Sequence, residues 1–382
     1  MGSIPPASLL DLARRSVEII TEHQDVGGAY PASPTFPVYR FSWLRDGSFI
    51  ADAMSRAGEH ESADRFFGWC ARVVTDRADQ IHELVARARS GGSVARSEHL
   101  PTRYTLDGHE TSEEWWDFQL DGYGTWMWAL VAHRARVAVG DPSPVSTAPP
   151  VDPAIAEAVA LCVEYLTTFW PQPCFDWWEE HPDGVHPSTL GAIHAGLRSV
   201  LGAGLVPDEL LGDATATIDG IAALVAERGV VDSHLVKMLD DGPRVDASLI
   251  ACCTPFGLVD PTGSIADATY EAVVRDLAPD GVHRYLGDTF YGGGRWVVLA
   301  GFLGWHEAAT GRVDEARRRL EWMWAQRTPE GLLPEQVHDH PLDESFVSVW
   351  EAKWGPVATP LLWSHAMYLT LADSLGLLSG DR

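Results

Sequence analysis

Basic residues are scarce in this sequence: 28 lysines and arginines face 54 aspartates and glutamates, for a formal net charge of −26. No basic stripe interrupts that field, which repels a nucleic-acid backbone and disfavours anionic membrane surfaces. Long apolar runs are missing as well, and nothing approaches the roughly 18–20 consecutive apolar residues of a membrane span. The opening Met1-Gly2-Ser3-Ile4-Pro5-Pro6 has no basic or apolar leader pattern, and Pro6 breaks the myristoylation motif. Cysteines number five: Cys70, Cys162, Cys174, Cys252 and Cys253. An odd, scattered set without metal-ligand spacing fits buried thiols in a reducing compartment, so a cytoplasmic protein is expected.

Common catalytic motifs are absent too. There is no GxSxG elbow for a serine hydrolase and no HExxH pair for zinc. Gly292-Gly293-Gly294 follows no strand and lacks the Gly-Lys-Ser/Thr end of a phosphate loop, so it reads as a flexible helix entry. His338, Asp339 and His340 sit together, and His181, His186, His283 and His365 are possible additions. Adjacent histidines in a loop seldom converge on one ion, so no metal is expected.

Tryptophan, by contrast, is abundant. Its 16 copies are about three times the ~1–1.5% of ordinary usage. Several belong to the core, but Trp115-Trp116 and Trp177-Trp178 lie in Gly/Pro/Asp-rich segments. A flat ring in a loop is what the apolar face of a sugar stacks on, which favours a sugar site over mere packing.

Apolar residues recur at helical spacing in segment after segment, and alternation of the β type is scarce. The pattern predicts about twelve helices, at 7–22, 47–57, 60–90 (with a possible break), 121–140, 151–170, 187–204, 212–229, 245–253, 264–278, 292–311, 313–328 and 358–376. Asp152-Pro153 and Pro187-Ser188 are start signals; Gly140, Gly204, Gly229 and Gly311 are stop signals. Six long connections, 23–46, 91–120, 171–186, 230–244, 279–291 and 329–357, nearly alternate with short ones. In a barrel of antiparallel helix hairpins, alternate connections fall at the same end, so the long ones would build a site together. The expected class is therefore all-α, a single (α/α)6 barrel over residues 1–382 with its active site at the rim formed by the long connections. The one linker-like stretch, 141–150 with four prolines, falls on the short-connection side.

Dense clusters of polar and aromatic residues occupy five of these loops. The first reads Tyr39-Arg40-Phe41-Ser42-Trp43-Leu44-Arg45-Asp46. Its Arg-Asp pair suits two sugar hydroxyls, although an N-cap aspartate beside a surface arginine would read the same. The second holds Glu113-Glu114-Trp115-Trp116-Asp117-Phe118-Gln119-Leu120-Asp121. In the third, Phe175-Asp176-Trp177-Trp178-Glu179-Glu180-His181, three carboxylates fall within five residues among aromatic rings. Repulsion and desolvation both raise a carboxyl pKa, which keeps a general acid protonated near neutral pH. A later loop runs from His283-Arg284-Tyr285 through Asp288 to Phe290-Tyr291. The last carries Pro334-Glu335-Gln336 and His338-Asp339-His340, followed by Trp350, Trp354 and Trp363.

In their order these loops resemble glycoside hydrolase family 15, the glucoamylase family, from about Tyr39 to the last helix. The likeness is greatest to its compact bacterial members that act on isomaltose. Phe41-Ser42-Trp43-Leu44-Arg45-Asp46 matches the family's aromatic-x-Trp-x-Arg-Asp, and Gln119-Leu120-Asp121-Gly122-Tyr123-Gly124 matches its Gln-x-Asp helix start. Asp176-Trp177-Trp178-Glu179-Glu180 matches Asp-x-Trp-Glu-Glu without a gap. Arg284, Asp288 and Trp296, then Gly331-Leu332-Leu333-Pro334-Glu335-Gln336 and Trp363-Ser364-His365, follow in the family's sequence. Phe290 departs from a common tyrosine, and residues 346–360 carry two further tryptophans. From the length, neither an N-terminal β-sandwich nor a starch-binding module is expected.

The resemblance implies an inverting exo-α-glucosidase that needs no cofactor, with Glu179 as general acid and Glu335 as general base. Asp339, Asp343 and Glu351 are the alternatives for the base. Around the glucose it places Tyr39, Trp43, Arg45, Asp46, Trp115, Asp176, Trp178, Glu180, Arg284, Gln336 and Trp363. Isomaltose and small isomalto-oligosaccharides are the expected substrates, ahead of α-1,4 oligosaccharides and trehalose. A disaccharide phosphorylase on a similar barrel and a non-catalytic sugar-binding protein are the more distant readings.

Overall fold

A computed structural model describes residues 4–378 apart from 112, 114, 116, 117 and 141–150. The proline-rich stretch 141–150 and the loop residues Glu114, Trp116 and Asp117 lie outside the described residues. In chain order the helices are α1 (Pro6–His23), α2 (Leu44–Arg56), α3 (His60–Thr75), α4 (Ala78–Arg89), α5 (Asp121–Gly140), α6 (Pro153–Phe169) and α7 (Pro187–Gly202). They continue with α8 (Leu211–Arg228), α9 (Leu249–Cys253), α10 (Ser264–Leu277), α11 (Val297–Ala309), α12 (Val313–Ala325), α13 (Val347–Trp354) and α14 (Leu362–Ser374). Strands among the described residues are six two-residue pieces: β1 (Ser42–Trp43), β2 (Arg103–Tyr104), β3 (Val230–Val231), β4 (His234–Leu235), β5 (Arg295–Trp296) and β6 (Gln336–Val337). They form three antiparallel pairs and no closed sheet. The protein is all-α, as expected, and this helix content fits an (α/α)6 barrel. Among the described residues no helix is long and apolar enough to cross a membrane.

Two compact units make up the chain, each discontinuous in sequence. One comprises Asp25–Tyr30 and Phe41–Gly229 and contains α2 to α8; the other comprises Met1–Gln24, Pro31–Arg40 and Val230–Arg382 and contains α1 and α9 to α14. In the first, α5 packs on α2 and α7, and α3 packs on α2 and α6. Helices α5 and α7 meet at two glycines: a Cβ on Gly196 would stand 2.3 Å from Gly124 O, and one on Gly124 would stand 2.4 Å from Ala192 O. Only glycine lets the two backbones come so close. In the second unit α11 lies against α12 and α14, and α14 against α1. There Gly301 makes the close approach, with Met367 Cβ 2.5 Å from where its own Cβ would be.

Departures from the predicted elements have local causes. The 60–90 segment breaks at Asp76-Arg77, where the Arg77 guanidinium caps Val73 O (2.7 Å) and also reaches Gly108 O (3.0 Å). Helix α9 shrinks to five residues because Asp246 turns the chain just before it, its Oδ1 accepting the Ser248 N–H at 2.9 Å. Helix α11 starts at Val297 rather than 292, since Tyr291, Gly292 and Gly293 all have positive φ and Arg295-Trp296 pair as β5. Helix α13 was not predicted. None of its residues is buried, so it shows no apolar period to read.

Candidate active site

The acid is built from short-range geometry in the first unit. β1 pairs with β2 so that Trp43 stands opposite Arg103, and α2 begins at the next residue. That turn buries Arg45 and Asp46. Arg45 Nη1 donates to Gln119 Oε1 and Asp121 Oδ2, both at 3.0 Å, and its Nε lies 3.3 Å from Asp46 Oδ2. The Arg-Asp pair is therefore no surface cap. Gln119 Nε2 in turn donates to Asp176 O, which ties the start of α5 to the acidic loop.

Within that loop Asp176 is a brace. Its Oδ1 accepts the N–H groups of Trp178 (3.0 Å) and Glu180 (2.9 Å), and its carbonyl accepts the Glu179 N–H at 3.0 Å. The tight turn forces Glu179 to φ +62°, a conformation that costs roughly 1–3 kcal/mol in a residue with a Cβ and is common at functional sites. The Glu179 carboxylate so presented meets two indoles. Trp43 Nε1 donates to Oε1 at 2.6 Å, Trp115 Nε1 donates to Oε2 at 3.1 Å, and Arg45 Nη2 lies 3.9 Å from Oε1. Burial raises its pKa to about 7; Arg45, the Trp43 N–H and Arg103 oppose the rise, and Asp46 adds to it. Sequence reasoning expected a raised acid, but the acidic neighbour that contributes is Asp46, with Asp176 engaged by backbone amides. Asp46 is itself lifted to about 6 by burial.

The base candidate lies in the second unit. β6 pairs with β5, Glu335 N–H donates to Ala358 O (3.0 Å), and Glu335 O accepts the Val297 N–H (3.1 Å). Two side chains of α14 clamp the preceding residues. Ser364 Oγ donates to Pro334 O (2.7 Å), and His365 Nε2 accepts the Leu333 N–H (3.0 Å). Accepting there fixes the His365 tautomer, with Nδ1–H directed to Ser16 Oγ at 2.9 Å; burial pushes this histidine down to about 3, so it stays neutral. Glu335 is 3% exposed. Its rivals are otherwise occupied: Asp339 is ion-paired with Arg295, Asp343 accepts the Ser345 N–H (3.0 Å), and Glu351 is exposed on α13. Gln336 was expected beside the glucose. Its Oε1 accepts the Gly294 N–H (3.0 Å), its Nε2 is buried without a protein partner, and His338 stacks on Tyr291.

Arg284 makes a two-pronged pair with Asp288, and its guanidinium lies 5.2 Å from the ring centres of both Phe290 and Trp296. Tyr39 is half-buried against Phe36, Trp363 is buried edge-on to Phe302, and Trp178 and Glu180 are half-exposed. Helix α13 sets Trp350 5.0 Å from Phe290 and stacks it on Tyr291. Asp176, Glu180 and His181 have ligand atoms within 4.8 Å of one another, but the Asp176 oxygen that serves two amides leaves this a braced turn. Among the described residues, His338, Asp339 and His340 form no such group.

Sequence reasoning missed several of these residues. Arg103 belongs to no motif and is brought to Trp43 only by strand pairing. Lys237, held by Asp246 at 2.6 Å over the Tyr285 ring (3.8 Å), gave no signal beyond being a lysine in a loop.

Comparison with known proteins bears on the family and the fold. The family model for glycosyl hydrolases family 15 matches residues 10–281. An isomaltose glucohydrolase from Kribbella flavida is 48% identical over 375 residues, covering 97% of this chain and 94% of that protein. A solved wild-type glycosidase matches with a TM-score of 0.91 at 46% identity, over 97% of this chain and 98% of its own. A glucoamylase from Saccharomycopsis fibuligera, at 13% identity, shares the fold with a TM-score of 0.72 over 100% of this chain and 98% of its own.

Proposed function

The chain belongs to glycosyl hydrolases family 15, and we propose that it is an inverting exo-α-glucosidase releasing β-glucose from isomaltose and short α-1,6-linked gluco-oligosaccharides. The observation that carries this reading is the Glu179 carboxyl, largely enclosed between two indole N–H donors and raised to about 7. Such a group keeps a proton at neutral pH and can give it to a leaving glycosidic oxygen. Glu335, ionised, takes a proton from water as that water attacks C1 from the opposite face. The C1–O bond breaks, the aglycone leaves as an alcohol, and the sugar carbon inverts. Glu179 ends ionised and Glu335 protonated, and solvent resets both. An inverting pair needs ~6.5–9.5 Å between carboxyl groups to admit the water.

Arg45, Asp46 and Arg284, with the spare amide of Gln336, serve as partners for glucose hydroxyls, and Tyr39 offers its ring to the developing oxocarbenium charge. Trp43, Trp115, Trp178 and Trp363 supply aromatic surface, with Asp176 and Glu180 shaping the acid's turn. The 48% identity to an isomaltose glucohydrolase supports the α-1,6 preference. Trp350 and Trp354 on α13 favour a short substrate by covering Phe290 and Tyr291. The five cysteines are all buried, in keeping with a cytoplasmic setting.

Glucose release from maltose, isomaltose, nigerose, kojibiose and trehalose tests the substrate directly. Isomaltose should give the highest kcat/KM. A preference for maltose or trehalose would overturn the linkage, and release only in the presence of phosphate, as sugar phosphate, would overturn hydrolysis.

A further inference from the structure

Arg103 is 1% exposed, and its charge acts on the Glu179 carboxyl. Its guanidinium carbon lies over three aromatic rings: Trp115 at 3.8 Å, Phe41 at 4.1 Å and Trp43 at 5.6 Å. The backbone pairing of β1 with β2 sets Arg103 directly across from Trp43. The two indoles also meet each other edge to face, with centroids 5.9 Å apart at 72°. Beyond the rings, Arg103 Nη2 reaches Glu113 Oε2 at 3.4 Å on the solvent side. Each indole that Arg103 contacts ends on a different oxygen of Glu179.

We propose that Arg103 is a positioning residue for the general acid: its flat cation orients Trp43 and Trp115 so that their N–H groups hold both oxygens of Glu179 in line with the leaving group. A guanidinium is suited to this work because it is planar and weakly hydrated and lies flat on several ring faces, whereas an ammonium offers only a point charge. Its positive charge also opposes the rise of the Glu179 pKa, so the residue holds the acid's geometry and tempers its acidity together. The inference rests on the reading of Glu179 as the acid.

The experiment compares Arg103→Leu and Arg103→Lys with wild type on isomaltose and on α-glucosyl fluoride. Fluoride departs with little protonation, so a fault confined to the acid spares that substrate. Arg103→Leu should lose roughly 10²-fold in kcat/KM on isomaltose, the scale of general-acid catalysis, and less than about threefold on the fluoride. Its alkaline limb should move to higher pH. Arg103→Lys should recover part of the rate with the limb near its wild-type position. Arg103→Gln carries the test if the leucine variant does not fold. Equal losses on both substrates in folded variants, or no loss on either, would overturn the proposal.

A second readout needs no substrate. Intrinsic fluorescence titration, with Glu179→Gln as the blank, should show a Glu179 step that shifts upward in Arg103→Leu; an unshifted step overturns the proposal. If wild type hydrolyses neither substrate while that step still moves, the glycosidase reading fails, and with it the catalytic part of the proposal, while the hold of Arg103 on the Glu179 carboxyl stands.

Discussion

Trp43 donates its indole N–H to Glu179 Oε1 across 2.6 Å, from a position 136 residues earlier in the chain. A hydrogen bond to a carboxylate favours its charged form, and here it works against burial, which favours the neutral one. Trp43→Phe keeps the ring and removes the donor. The alkaline limb of kcat/KM should then move to higher pH, and kcat should fall about tenfold or more, the scale of one bond to a charged group. An unchanged pH profile would show that the bond does not tune the acid.

Glu179→Gln and Glu335→Ala should each lower kcat by at least ~10²–10³. Stability gives a second test of Glu179. Burial raises Glu179 to about 7 from its ordinary 4.5, so the folded protein holds a proton that the unfolded chain gives up between those values. Stability linked to this group is complete below about pH 4.5 and declines as pH rises through about 7. Glutamine has no proton to lose. The Tm of Glu179→Gln relative to wild type should therefore be more favourable at pH 8 than at pH 5, and a difference independent of pH would contradict the raised pKa.

Gly196 tests the fold beneath the acid. A methyl at this position would stand 2.3 Å from Gly124 O, backbone against backbone, with no flexible side chain to yield. Gly196→Ala should cost at least ~1–3 kcal/mol, read as a lowered Tm, despite alanine's better helix propensity. A Tm at or above wild type would refute the close crossing of α5 and α7.

These tests bear on features of unequal visibility in the sequence. The turn from Asp176 to Glu180 was legible because its function lies in contiguous residues, as were most helices, whose apolar period is local. Arg103 was not, since a two-residue strand leaves no alternation and its partner Trp43 is sixty positions away. The clamp of His365 on Leu333 depends on a contact between a helix and a loop, and a lone histidine in an apolar helix gives no hint of it. Helix α13 escaped because an exposed helix of eight residues carries no burial pattern.

That helix supports a prediction about substrate length. Trp350 packs on Phe290 and Trp354 and stacks on Tyr291. Trp350→Ala should improve kcat/KM for isomaltotriose and longer chains relative to isomaltose by roughly tenfold, as expected for removing a steric wall. A ratio unchanged from wild type would assign the length limit elsewhere.

Direct displacement by water, with Glu179 as acid and Glu335 as base, inverts the sugar carbon. Proton NMR of the earliest glucose released from isomaltose, read before mutarotation, tests it most directly. The β-anomer should appear first, with α-glucose growing in only as the anomers equilibrate; α-glucose as the initial product would rule out inversion by this pair.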